Sequence, residues 1–223
     1  MSAPQRPPSD EGEEGAATVN APLACDNLEE IERQLAGDGA SAPTKILQAA
    51  IERVKTAGLV RLSLQDIADE AGVSKGLIHY HFRDRDALLA RLIEWLTERV
   101  LAREAAVFEQ RAPQEAIDAM WCWLDAELAR GELRVLLELQ HDPADGAALA
   151  ARRAARLRHG QATATAERLF GMLGLRPRVP AELMAGVIVA FIDGLATEAP
   201  LQPEREARVS FDVFWLALLS LAE

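Results

Sequence analysis

Lys75, His79, Tyr80, His81 and Arg85 all fall within residues 75–85. Ammonium, imidazole, phenol and guanidinium groups are hydrogen-bond donors, suited to phosphate oxygens and base edges. His79 and His81 stand two apart, a spacing that points side chains to different sides of a helix. They are therefore expected to be two hydrogen-bonding groups, not a metal pair or a pH switch. Four histidines and two cysteines form no zinc-ligand set. Cys25 and Cys122 are far apart in the chain, and two reduced cysteines are expected rather than a disulfide. The sequence has neither a His-Glu-x-x-His helix motif nor a glycine-rich phosphate loop. An enzyme, a resident cofactor and a bound metal are not expected.

Local signals define the elements that must hold these residues. Ile46, Leu47, Ala50, Ile51, Val54 and Ala57 form a helical stripe that ends at Gly58. Ser63 with Asp66 makes a start like a capping box for a helix from Leu64 to about Glu70. Gly72 suits a sharp turn needing positive φ, and Ser74 can cap a further helix, Lys75 to Phe82. Two short helices joined by Ala-Gly-Val-Ser have the form of a helix-turn-helix. Ala68 must be small where the helices cross, and Ile67, Val73 and Ile78 fill the wedge. Lys75, Gly76, Leu77, His79 and His81 are then left to point outward. Asp84 can cap a long helix carrying Leu88, Leu89, Leu92, Ile93 and Leu96.

Residues 44–89, TKILQAAIERVKTAGLVRLSLQDIADEAGVSKGLIHYHFRDRDALL, resemble the N-terminal domain of the TetR (tetracycline-repressor-like) family. The matching positions are Ile46, Leu47, Ala49, Ala50, Gly58, Asp66-Ile67-Ala68, Ala71 to Gly76, and the aromatic-histidine run ending at Phe82. Asp84-Arg85-Asp86-Ala87-Leu88 stands where the family usually has Ser-Lys-Glu-Ala-Leu. The resemblance implies an all-α protein: a three-helix helix-turn-helix domain followed by a helical ligand-binding and dimerisation domain. It implies a DNA-binding regulator, most simply a repressor released from a pseudo-palindromic operator by a small molecule. A helical adaptor that has lost DNA binding, or an activator, are the alternatives. By the same resemblance, Lys45, Ser63, Tyr80, His81 and Arg85 are phosphate contacts. Ser74 caps the recognition helix, and Lys75 adds charge where its dipole already favours an anion. Gln65 faces base edges, Gly76 permits close approach, and Leu77 can touch a thymine methyl without hydrogen bonding. His79-Tyr80-His81 replaces the commoner Tyr-His-Tyr order, so which of the three reaches bases stays open.

Beyond the reader, helices are expected near 85–110, 113–130, 132–141, 146–173, 181–197 and 204–222, punctuated by Pro and Gly. The last two are apolar on more sides than one chain covers. Leu183, Val187, Phe191, Leu195, Phe211, Phe214, Trp215 and Leu218 are the expected homodimer contacts, a role the family's last two helices support. Phe108, Met120, Trp121, Trp123, Leu137, Glu138, His141, Met172 and Phe191 are the candidates for an effector pocket. Trp121 and Trp123 cannot face the same way. Arg152, Arg153, Arg156 and Arg158 read as a solvated basic face.

The chain has 223 residues, 49% of them hydrophobic, which is ample for a buried core. Its net charge of -11 argues at face value against coating nucleic acid by charge alone. Divided, the balance is -7 over residues 1–40, +1 over 41–86 and -5 over 87–223. The expected organisation follows these parts: an acidic, largely disordered tail, the reader domain, and the effector and dimerisation domain. Within the tail, Leu28, Ile31 and Leu35 stand at the spacing of a short amphipathic helix near 26–36. No apolar run reaches the about 18 residues a membrane span needs, nor is there a signal-peptide stretch, so a cytoplasmic location with no membrane partner is expected.

Overall fold

A computed structural model describes residue 33 and residues 41–107, 115–141, 145–202 and 206–223. The expectations for the acidic tail, and for Phe108 as a pocket residue, lie outside the described residues. Helix α1 (Ala42–Ala57) starts where the Ser41 hydroxyl accepts from the Thr44 amide, and it buries Ile46, Leu47, Ala50, Ile51 and Val54. Gly58, at φ +78°, ends it while donating to the Val54 carbonyl. A short 3-10 turn, Leu59–Arg61, leads to α2 (Leu64–Ala71). Ser63 Oγ accepts from the Asp66 amide at 3.1 Å and donates to the Asp66 carboxylate at 2.6 Å. The capping pair therefore closes side chain to side chain.

Gly72 sits at φ +65°, ψ +35°, a left-handed conformation that costs a residue with a Cβ about 1–2 kcal/mol. The turn then swings Ser74 into place to cap α3 (Lys75–Phe82) by accepting from the Leu77 amide. Ile67, Ala68 and Ile78 are buried between the helices and Val73 is half-buried, as the wedge requires.

Helix α4 (Arg85–Val107) belongs to both halves of the molecule: it packs on α1 and α3 at its start and on the later helices along its length. Those are α5 (Ala116–Arg130), α6 (Glu132–His141) and α7 (Ala148–Met172); α8 (Ala181–Glu198) packs in turn on these three, and α9 (Ala207–Leu219) completes the domain. Gly131, at φ +69°, breaks α5 from α6. The expected helices thus form with ends shifted by a few residues. Among the described residues the only strand-like pairing is a bridge between Pro177 and Ala222.

One feature of the core was not expected from the sequence. Arg103 is fully buried, with Nη2 donating to Glu127 Oε2 at 2.8 Å and lying 2.9 Å from Glu132 Oε2. Arg130 and Arg99 stand at 3.5 Å and 3.7 Å from Glu127 and Glu132. This ionic cluster ties α4, α5 and α6 together. Cys122 also departs from expectation, being disulfide-bonded rather than a free thiol.

Candidate nucleic-acid interface

The reader surface is the outer side of α3 and the ends of the elements around it. Lys75, Gly76, His79 and Tyr80 are exposed, Leu77 and His81 half-buried. Tyr80 is the most open, at 81% exposure, and its ring meets that of His81 edge-on at 5.0 Å. Lys45 at the start of α1 is exposed, as are Ser63, Gln65 and Ser74. Gln65 Nε2 donates to Asp69 at 2.8 Å, so reaching a base edge requires it to exchange that partner.

Two side chains are engaged otherwise than the sequence implies. His79 Nδ1 lies 2.7 Å from the Arg83 carbonyl. A carbonyl only accepts, so Nδ1 carries the hydrogen and the ring is held to the end of its own helix. Of the three residues 79–81, Tyr80 is left with the freest polar group. Arg85 turns back into the protein, with Nε donating to the Leu62 carbonyl at 3.2 Å and Nη2 approaching that of Leu59 at 3.4 Å. It closes the loop between α1 and α2.

The pocket candidates separate into several places. Met120 and Trp123 line a small cavity of about 20 Å³ at the centre of the helical domain, with Val100, Leu133 and Ile188 as further apolar walls. Leu137 is buried core. Trp121 faces away from Trp123, packing edge-on against Phe211 at 5.2 Å with Arg208 over its ring. Met172 is half-buried against the core, and Phe191 stacks on Phe214 at 4.0 Å. Glu138 is not in the cavity. Its Oε1 accepts from the Leu59 amide at 2.8 Å, joining α6 to the reader domain. His141 contacts the Leu137 carbonyl of its own helix.

Two polar cavity residues were missed as site candidates. Glu104 is 9% exposed, accepts from the Thr165 hydroxyl at 2.8 Å, and has its pKa raised to about 7 by burial, partly offset by Thr165 and Arg158. Arg158 is buried and forks onto Asp193, so it does not belong to the solvated face of Arg152, Arg153 and Arg156. The signal lay in the spacing: Val100, Glu104 and Val107 share a helical stripe, as do Ala151, Ala154, Arg158 and Ala162. Trp123 Nε1 is buried without a hydrogen-bond partner among the described residues.

The expected dimer residues also divide. Leu195, Phe211, Trp215 and Leu218 are buried within the single chain and so serve its own core. Phe191 and Phe214 are half-buried. Leu183 and Val187 of α8 and Val209, Val213 and Leu216 of α9 are 53–70% exposed, forming the apolar surface that remains.

Capped helices α2 and α3, a left-handed glycine between them and an outward polar face on the second define a helix-turn-helix protein. Residues 46–92 match the family described as bacterial regulatory proteins, tetR family. Over these residues the chain carries the N-terminal helix-turn-helix domain of TetR-type regulators. It is 27% identical over 106 residues to the HTH-type transcriptional regulator CymR of Pseudomonas putida, covering 45% of this chain and 52% of that one. It is 35% identical over 78 residues to BetI of Brucella suis, covering 34% and 39%. The matches span about half or less of the curated relatives' length. Its fold resembles that of a TetR transcription regulator from Haloarcula marismortui, with a TM-score of 0.67 at 20% identity over 82% of this chain and 98% of that one. FadR from Bacillus subtilis, solved with stearoyl-CoA, gives 0.63 at 16% identity over 78% and 96%.

Proposed function

We propose that the chain is a transcriptional repressor that binds a pseudo-palindromic operator as a homodimer and leaves it when a small molecule binds the helical domain. The observation that carries this reading is the rigidly capped α3, which presents Lys75, Gly76 and Tyr80 outward on a chain of net charge -11. The reader domain alone escapes that acidity, so binding is confined to one surface. Selection from a random DNA pool tests it. The expected product is two inverted half-sites with centres about one helical turn apart or slightly more. No enrichment over input would sink the reading.

The exposed apolar residues of α8 and α9 support a dimer, because contiguous apolar surface is costly on a lone soluble chain. The cavity around Glu104 is the proposed effector site. At about 20 Å³ it has room for a water. An effector would have to widen it, moving the helices that wall it. A difference of about 1–3 kcal/mol in effector affinity between the two arrangements changes operator affinity roughly 5–150-fold. The route to the reader is short, since α4 belongs to both domains and Glu138 holds the end of α1.

A further inference from the structure

The turn that follows the recognition helix has an unusual backbone. Arg83 lies at φ +61°, ψ -61°, and among the described residues it alone combines a positive φ with a side chain. The Asp84 amide donates to the Phe82 carbonyl at 2.7 Å, closing the positive-φ form of γ-turn, which is rare and strained. Three contacts hold it. The Arg83 amide donates to the His79 carbonyl at 2.9 Å, and His79 Nδ1 holds the Arg83 carbonyl. Phe82 is buried beneath. Strain of this kind persists only where surrounding structure enforces it, and it concentrates at functional positions.

This turn holds Arg83 outward, at the rim of an open cleft of about 350 Å³ lined by Pro43, His81, Phe82, Arg83, Ala87 and Arg91. The cleft thus collects two guanidinium groups and an imidazole between the start of α1 and the end of α3. Nearby acids are engaged elsewhere. Asp84 Oδ1 accepts from the Ala87 amide at 2.8 Å, and Asp86 Oδ2 from that of Gly146 at 3.4 Å. Arg91 is tethered to Glu94 and Glu98 at 3.5 Å and 3.3 Å, which leaves Arg83 as the cation presented most openly.

We infer that this cleft seats a backbone phosphate of the duplex and that Arg83 is its principal ligand, with His81 beside it. The phosphate contact implied for Arg85 by sequence passes to Arg83, because Arg85 is spent on the carbonyls of Leu62 and Leu59. This rests on the DNA-binding reading above and adds to it the residue that fixes the register of α3 along the backbone.

The test is the salt dependence of binding to a duplex of arbitrary sequence, followed by fluorescence anisotropy, for the full chain and its variants. Arg83→Gly removes the cation at a position where glycine is the preferred residue, so the fold is kept. Each phosphate contact contributes about 0.9 to the slope of log affinity against log salt. Arg83→Gly should therefore lower that slope by about 0.9 per engaged reader, Arg83→Lys should restore it, and Arg85→Ala should leave it unchanged while lowering the melting temperature. An unchanged slope in Arg83→Gly, or loss of the unit in Arg85→Ala, overturns the assignment and leaves the DNA reading standing. Absence of salt-dependent binding by the unaltered chain overturns both.

Discussion

Glu104 shows how much one buried carboxyl can shape this protein's behaviour. Its pKa of about 7 stands above the ordinary 4.5, so the folded chain holds a proton that the unfolded chain has released across that interval. The stabilisation is complete below pH 4.5 and fades as pH rises through 7. For a shift of this size it amounts to roughly 3–3.5 kcal/mol. Urea melts of the parent chain and Glu104→Gln at pH 5 and pH 8 measure it. The glutamine variant should gain on the parent as pH rises, while a constant difference would place Glu104 in a wetter setting. Its role was not read from sequence, although its place on the Val100–Val107 stripe was open to view. A helical stripe gives the direction in which a residue faces, but not whether a threonine and an arginine wait opposite it.

The reader helices were legible at the level of elements because their determinants are local. Ser41, Ser63 and Ser74 each cap the helix just after them, and Gly58 and Gly72 end the ones before, all within four residues of the backbone they serve. The cluster that locks α4 to α5 and α6 was hidden for the opposite reason, since its partners are joined across 24 and more residues of sequence. Removing one member should be severe. Arg103→Met strands Glu127, whose carboxyl burial already pushes upward in pKa, and should cost about 3–5 kcal/mol in chemical denaturation. Adding Glu127→Leu should recover much of that loss. A double variant as unstable as the single one would show that packing, not the stranded charge, is responsible.

At the scale of the whole molecule, α8 and α9 divide their apolar residues between the chain's own core and its surface. The sequence pattern identified both helices as too apolar for solvent. It could not assign Phe211 and Trp215 inward and Val213 and Leu216 outward, because the helices are apolar on several sides. Val213→Asp with Leu216→Asp places charge on exposed positions only. If these residues meet a second copy, light scattering should show monomers with an unchanged helical spectrum, and operator affinity should fall at least tenfold. A variant that still dimerises would move the interface elsewhere.

The bond between Glu138 and the Leu59 amide bears on protein engineering. An atom from the sixth helix binds the amide just past the end of the first, and the helix after the reader is also the spine of the helical domain that follows. Reader and helical domain are therefore not interchangeable cassettes cut at residue 86. A hybrid regulator that grafts this reader onto another sensor must carry α4 with it and supply a substitute acceptor for that amide. Without one, the graft would inherit the recognition surface but not the angle at which it is held.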